Sequence, residues 1–187
     1  MARQKSEEKR VAIMNAAAAT IAEQGMVGAP TSMIAKRAGV AEGTLFRYFA
    51  TKDELLNELY LHVKEQMCDA IAQNYRATDS LVQRMETLWN SYIDWGLANP
   101  VSCKAVNQLA VSSVITAESL AKAEEMFPDL GVGKAFGANP VFAGVEDFAE
   151  AMFIALADTT MACAANSPSK AEKYKASGFA ALWRMAA

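Results

Sequence analysis

Apolar residues recur at helical spacing along almost the whole chain, and no alternating apolar–polar run is long enough to predict a strand. The first such stretch is Val11, Met14, Ala18, Ile21 and Ala22, with Ser6 as predicted N-cap, Glu7 and Glu8 in the first turn, and Gly25 as terminator. Thr31 is placed to cap a short helix through Ala38, Gly39 to turn the chain, and Ala41–Tyr48 to form a third short helix. Thr51 and Glu54 then make a capping box that opens a long helix to about Tyr75. Further helices are expected over Ser80–Ala98, around Ala105–Val114, around Thr116–Phe127, over Ala143–Ala165, and over Pro168–Ala187 with Ser167 as its cap. Residues 128–141, holding Gly131, Gly133, Gly137 and Pro140, read as a loop. The expectation is all-α: a three-helix head, then a helical body, about nine helices in total.

Composition agrees, since 52% of the 187 residues are hydrophobic and only 5 are Pro. Net charge is −3, which taken alone argues against a nucleic-acid partner. The average conceals an asymmetry: residues 1–52 carry +4 and residues 53–187 carry −7. A basic head on an acidic body suits a DNA reader with a separate regulatory half. We therefore divide the chain by function into a DNA-binding domain, 1–52, and a ligand-binding and dimerisation domain, 53–187. Cys68, Cys103 and Cys163 are far apart and His62 stands alone, so neither a metal site nor a cofactor is expected. Met1–Arg10 is polar and charged, unlike a signal sequence. The longest apolar run, Phe148–Ala157, stops at Asp158, short of the roughly 20 residues that span a bilayer. A cytoplasmic protein without a membrane partner is the expectation.

The segment TSMIAKRAGVAEGTLFRYFATK, Thr31–Lys52, joins two short helices through a glycine turn, the layout of a helix-turn-helix unit. Ile34, Ala35, Val40, Leu45 and Phe49 supply its core. The outer face carries Glu42, Gly43, Thr44, Phe46, Arg47 and Tyr48. Phe46 suits a stack or a thymine methyl, Arg47 a guanine edge or a phosphate, and Thr44 and Tyr48 phosphate oxygens. Gly43 leaves nothing to hold the helix off the duplex. Lys52 adds charge to a helix N-terminus that already favours an anion.

This stretch resembles the TetR family signature at Thr31, Ile34-Ala35, Ala38-Gly39-Val40, Gly43-Thr44-Leu45, Phe46, Tyr48-Phe49 and Lys52. The resemblance implies a DNA-binding repressor, with Thr31, Glu42, Gly43, Thr44, Leu45, Phe46, Arg47, Tyr48 and Lys52 as its DNA-binding residues. Two departures stand out. Ala41 occupies a place where Ser often caps the recognition helix, and Phe46 replaces a commoner Tyr. Further segments, among them WNSYIDWGL, MFPDL and FIALADTTM, resemble drug-sensing members of the family that govern efflux.

In the body, Leu81, Met85, Leu88, Trp89, Tyr92, Trp95 and Gly96 fall within about 120° of one helix face. Such a stripe is either plain core or the lining of a cavity. The resemblance implies the second, with Tyr60, Trp89, Glu150 and Phe153 lining a pocket and Lys64, Met67, Met85 and Tyr92 beside them. Glu150 and Phe153, three apart, share a helix face, and a buried carboxylate there would call for a cationic aromatic ligand. Ala151, Ala155, Ala162 and Ala165 would let the last two helices approach a second copy, giving a homodimer on palindromic operator DNA. An enzyme is disfavoured by the single histidine and the absence of a phosphate-binding glycine loop. A thiol redox sensor has weak support from Lys104 beside Cys103, and a ligand-independent DNA-binding module or an activator shares the same head.

Overall fold

The computed structural model describes residues 2–126 and 142–186. Among the described residues there are nine α-helices and no strand: α1 Ala2–Gln24, α2 Thr31–Arg37, α3 Glu42–Tyr48, α4 Lys52–Ala72, α5 Leu81–Ala98, α6 Pro100–Ala110, α7 Ala117–Glu125, α8 Glu146–Asn166 and α9 Ala171–Ala186. The all-α expectation is met. The loop expected over 128–141 lies outside the described residues.

Several ends differ from the sequence reading, each for a local reason. Ser6 is no cap, because α1 already starts at Ala2. Arg3, Gln4 and Lys5 are good helix formers and nothing before Ser6 stops the helix. Thr31 is the first residue of α2 rather than its cap; Pro30 holds the cap position and Thr31 bonds elsewhere. The helix expected around Ala105–Val114 starts at Pro100, which suits a first turn, and ends at Ala110. Ser167 makes no capping bond, and Pro168–Lys170 form a 3-10 turn before α9. Thr51 does cap α4: its hydroxyl accepts the Glu54 N–H at 3.0 Å, while the Glu54 carboxylate accepts the Ala50 N–H at 2.7 Å. Gly25 and Gly39 adopt φ of 74° and 68°, the left-handed turns expected of them.

The described residues pack as two compact units, residues 2–66 with 99–126, and residues 67–98 with 142–186. The packing boundary thus differs from the functional division at residue 52, because α6 packs along α1 and belongs with the head. In the first unit, Ile13, Met14, Ala17, Ala18 and Ile21 of α1 are buried, and the run of alanines lets α6 lie close. Cys103, Ala105, Val106 and Leu109 meet it from α6. The α2–α3 pair closes over Ile34, Ala35, Leu45 and Phe49, all buried, with Val40 half-buried.

In the second unit, α5, α8 and α9 pack together around Trp89. Phe148–Asn166 of α8 is, by length and composition, long and apolar enough to cross a membrane. That corrects the shorter run read from the sequence: Asp158, with Glu150 one of two charges in the stretch, does not end the helix. In this fold Ala149, Phe153, Ala157, Met161 and Ala164 of α8 are buried, and α8 packs against α5 and α9.

Candidate functional site

Recognition by a short helix needs one face anchored and the other free, and α3 divides in this way. Leu45 and, just beyond the helix, Phe49 are fully buried. Glu42, Gly43 and Arg47 are exposed, Phe46 is 42% exposed, and Thr44 and Tyr48 are half-buried. Leu45 therefore belongs to the anchoring side. Its expected role in touching DNA is corrected: a side chain with no accessible surface cannot reach a groove. Ala41 at the cap position makes no side-chain hydrogen bond, so the chain leaves the α3 N-terminus uncapped from within.

Two side-chain links hold the pair of helices. The Thr31 hydroxyl donates to Glu42 Oε1 at 2.6 Å, from the start of α2 to the start of α3. Arg37 at the end of α2 donates from both terminal nitrogens to the Glu23 carboxylate on α1, one bond measuring 2.8 Å. The hydrogen bond from Arg37 holds the Glu23 carboxyl below its usual range and the Arg37 guanidinium above its own. Sequence reading missed this pair because 14 residues separate its members and no helix period connects them. Lys52 is half-buried, and its Nζ donates to the Met26 carbonyl at 3.3 Å. Arg10 of α1 lies 5.6 Å from the centre of the Phe49 ring and pairs with Glu58 of α4.

Of the expected ligand residues, the structure brings Trp89, Tyr92 and Phe153 together in the second unit. Phe153 stands edge-on to Trp89 at 5.6 Å and tilted against Tyr92 at the same separation. Trp89 is fully buried and its Nε1–H donates to the Lys175 carbonyl at 2.9 Å. A Cβ placed on Gly178 would stand 2.5 Å from Trp89 Cζ2, so the ring is packed on all the sides that these contacts define. Met67 and Met85 are buried in the same unit. Tyr60 and Lys64 belong to the first unit, Tyr60 buried and Lys64 over its ring at 5.5 Å. Glu150 is exposed although Phe153 is buried, so the burial cost expected for its carboxylate does not arise. Lys175, Asp94 and Glu172 form a charged cluster that the sequence did not signal, with Nζ–O distances of 2.8 and 3.1 Å. Cys103 is buried, Cys68 and Cys163 are half-buried, and none of the three is in a disulfide.

Residues 13–59, from α1 into α4, match the family model of bacterial regulatory proteins, tetR family. The nucleoid occlusion factor SlmA of Haemophilus influenzae is 28% identical over 78 residues, which is 42% of this chain and 36% of that one. The fatty acid metabolism regulator protein of Bacillus subtilis is 44% identical over 59 residues, 32% of this chain and 29% of that one. The matched stretch thus spans about a third of the length of these curated relatives. A crystal structure of a putative tetR family transcription regulator from Shewanella sp. PV-4 superposes with a TM-score of 0.76 at 25% identity, covering 94% of this chain and 96% of that one. The family model, the Bacillus protein and the Shewanella protein are described as regulators, which agrees with the expectation of a regulator rather than an enzyme.

Proposed function

We propose, on the premise that the chain belongs to the TetR family of regulators, that it is a homodimeric repressor released from palindromic operator DNA by a small aromatic ligand. The observation that carries this reading is the division of α3, with Leu45 and Phe49 anchored and Glu42, Gly43, Phe46 and Arg47 presented outward. Arg47 reads a guanine edge or grips a phosphate, Phe46 meets a thymine methyl, and the hydroxyls of Thr44 and Tyr48 bond phosphate oxygens. Lys52 contributes charge at the start of α4.

Pairing of two copies is supported by the α8–α9 face. An open apolar groove of about 350 Å³ runs along Met152, Ala155, Leu156, Thr159, Ala181 and Met185. Ala151, Ala155, Ala162 and Ala165 are exposed, small residues that let a second copy come close. A two-fold pair places two recognition helices in successive major grooves, about 34–36 Å apart.

The effector reading rests on the Trp89, Tyr92 and Phe153 cluster, with Met67 and Met85 buried in the same unit. A planar cation enters by displacing the Phe153 edge from Trp89, gaining stacking and cation–π attraction of roughly 0.5–2 kcal/mol per ring. Exposed Glu150 meets such a cation from solvent. Over several body segments the chain resembles RamR, a drug-sensing regulator of an efflux activator, and control of efflux in the cytoplasm is the biological role we assign. LfrR of Mycobacterium smegmatis, crystallised with proflavine, shares the fold at 20% identity with a TM-score of 0.63, and supplies a probe.

Selection of duplexes from a random pool, followed by binding in rising salt, tests the reading. A palindromic sequence bound with a steep salt slope, and released by proflavine, is the expected result. No enrichment of any duplex contradicts the DNA-binding reading, and enrichment without release by proflavine or related dyes contradicts the ligand reading.

A further inference from the structure

Asn57, which neither the helix-turn-helix pattern nor the aromatic stripe singles out, makes three side-chain hydrogen bonds to backbone groups in the first unit. Its Nδ2 donates to the Asp53 carbonyl at 2.8 Å and to the Val114 carbonyl at 2.9 Å. Its Oδ1 accepts the Thr116 N–H at 2.9 Å. The primary amide thus pairs with the backbone of the α6–α7 corner as a neighbouring peptide group would. It satisfies one acceptor and one donor of an irregular segment. The corner is otherwise well fixed. Ile115 is buried between the two bonded residues, Ser112 bonds Leu109, and Thr116 caps α7 by accepting the Ser119 N–H.

These bonds close a ring of contacts. α3 rests on α2, α2 on α1, and α1 along α6. The α6–α7 corner is bonded to Asn57 on α4, and α4 follows α3 after Phe49, Ala50 and Thr51. Asn57 lies five residues into α4 from Lys52, roughly 7.5 Å along the axis. α3 is too short to fix its own direction. Beyond its own anchors, its direction depends on what holds α2 before it and α4 after it, and this amide is one of the ties on α4. Aspartate cannot replace it, because a carboxylate accepts but has no proton to offer two carbonyl oxygens. Alanine offers neither.

We propose that Asn57 is a positioning residue for DNA recognition: it bolts α4 to the α6–α7 corner and so fixes the presentation of α3, without touching the duplex. The proposal rests on the operator-binding reading above. It also makes the corner a point from which operator affinity can be set, since opening this amide–peptide pair removes one of the ties that hold α4.

Operator binding by the full chain, measured for the wild type, Asn57→Asp and Asn57→Ala across a salt series, tests it. Unfolding midpoints and amide exchange at Thr116 are recorded in the same samples. The expected result is that both variants exchange Thr116 faster and lose roughly tenfold in operator affinity, the scale of one or two net hydrogen bonds. Their salt slopes match the wild type, because no phosphate contact is lost. Faster exchange with unchanged affinity overturns the proposal. So does a loss accounted for by the unfolded fraction, or one accompanied by a shallower salt slope. A wild type that prefers no duplex overturns the DNA-binding reading and this proposal together. A wild type that binds, with variants that bind equally well, overturns this proposal alone. If Asn57→Asp does not fold, Asn57→Ala, which removes the side chain at a helix-favouring position, decides the matter.

Discussion

The Thr31 hydroxyl donates a 2.6 Å hydrogen bond to Glu42 Oε1, joining the first residue of α2 to the first residue of α3. Thr31 has one hydroxyl proton and it is committed to this carboxylate. In the proposed operator complex Thr31 would therefore act through Glu42 rather than as a phosphate donor. Thr31→Val is expected to weaken operator binding by about 1 kcal/mol in the native background and to have no effect once Glu42 is alanine. A double-mutant cycle measures the coupling, and equal effects of Thr31→Val in both backgrounds would separate the two residues.

A Cβ at Gly43 would meet nothing within 4 Å, so the fold of the head gives no reason for glycine in the middle of the exposed face. Alanine is the better helix former by about 0.5–1 kcal/mol. Gly43→Ala is expected to raise the unfolding midpoint and at the same time reduce operator affinity, because the added methyl stands between helix and duplex. Calorimetry and anisotropy on the same preparation check both signs. Higher stability with undiminished affinity would mean that α3 does not approach the duplex at this residue.

How much of this was legible in the sequence depends on the range over which the physics acts. The capping box at Thr51 and Glu54, the left-handed turns at Gly25 and Gly39, and the inward Leu45–Phe49 face all follow from spacings of a few residues. Thr31 looked like a cap because capping is local, yet its partner, Glu42, is eleven residues away. Glu23 with Arg37, Asn57 with Val114, and Asp94 with Lys175 are set by packing between helices, which no period encodes. Glu150 and Phe153 illustrate the same limit: three residues apart, they share a face only loosely, and one is exposed while the other is buried.

Gly178 supports the Trp89 ring so closely that a Cβ there would lie 2.5 Å from Cζ2 and 2.8 Å from the Thr160 hydroxyl. Gly178→Ala must push the indole or part α9 from α8. The expected loss is about 1–3 kcal/mol, the usual range for overpacking. It is read from the denaturant midpoint together with a shift in tryptophan emission. An unchanged midpoint would show that the second unit repacks freely around Trp89.

Lys175 is buried, and burial pulls its pKa down. Hydrogen bonds to Asp94 and Glu172, with their charges, outweigh that effect and hold the ammonium above the ordinary lysine value. A raised folded-state pKa means that the pairing stabilises fully below the ordinary lysine pKa, about 10.4, and that this contribution fades as pH climbs through the folded value. Unfolding midpoints of the wild type and Lys175→Met, compared from about pH 8 to about pH 11, are expected to converge at the alkaline end. A gap that stays constant across this range would assign the role of Lys175 to packing of its stem alone.

The central claim is that the outward face of α3 enters a groove of duplex DNA. The most direct measurement is the affinity of the wild type and of Arg47→Ala for a selected operator and for a scrambled duplex, each over a series of salt concentrations. The account predicts that Arg47→Ala loses about 1–3 kcal/mol on the operator while the two proteins bind the scrambled duplex nearly alike. Equal operator binding by both proteins, at every salt concentration, would contradict it.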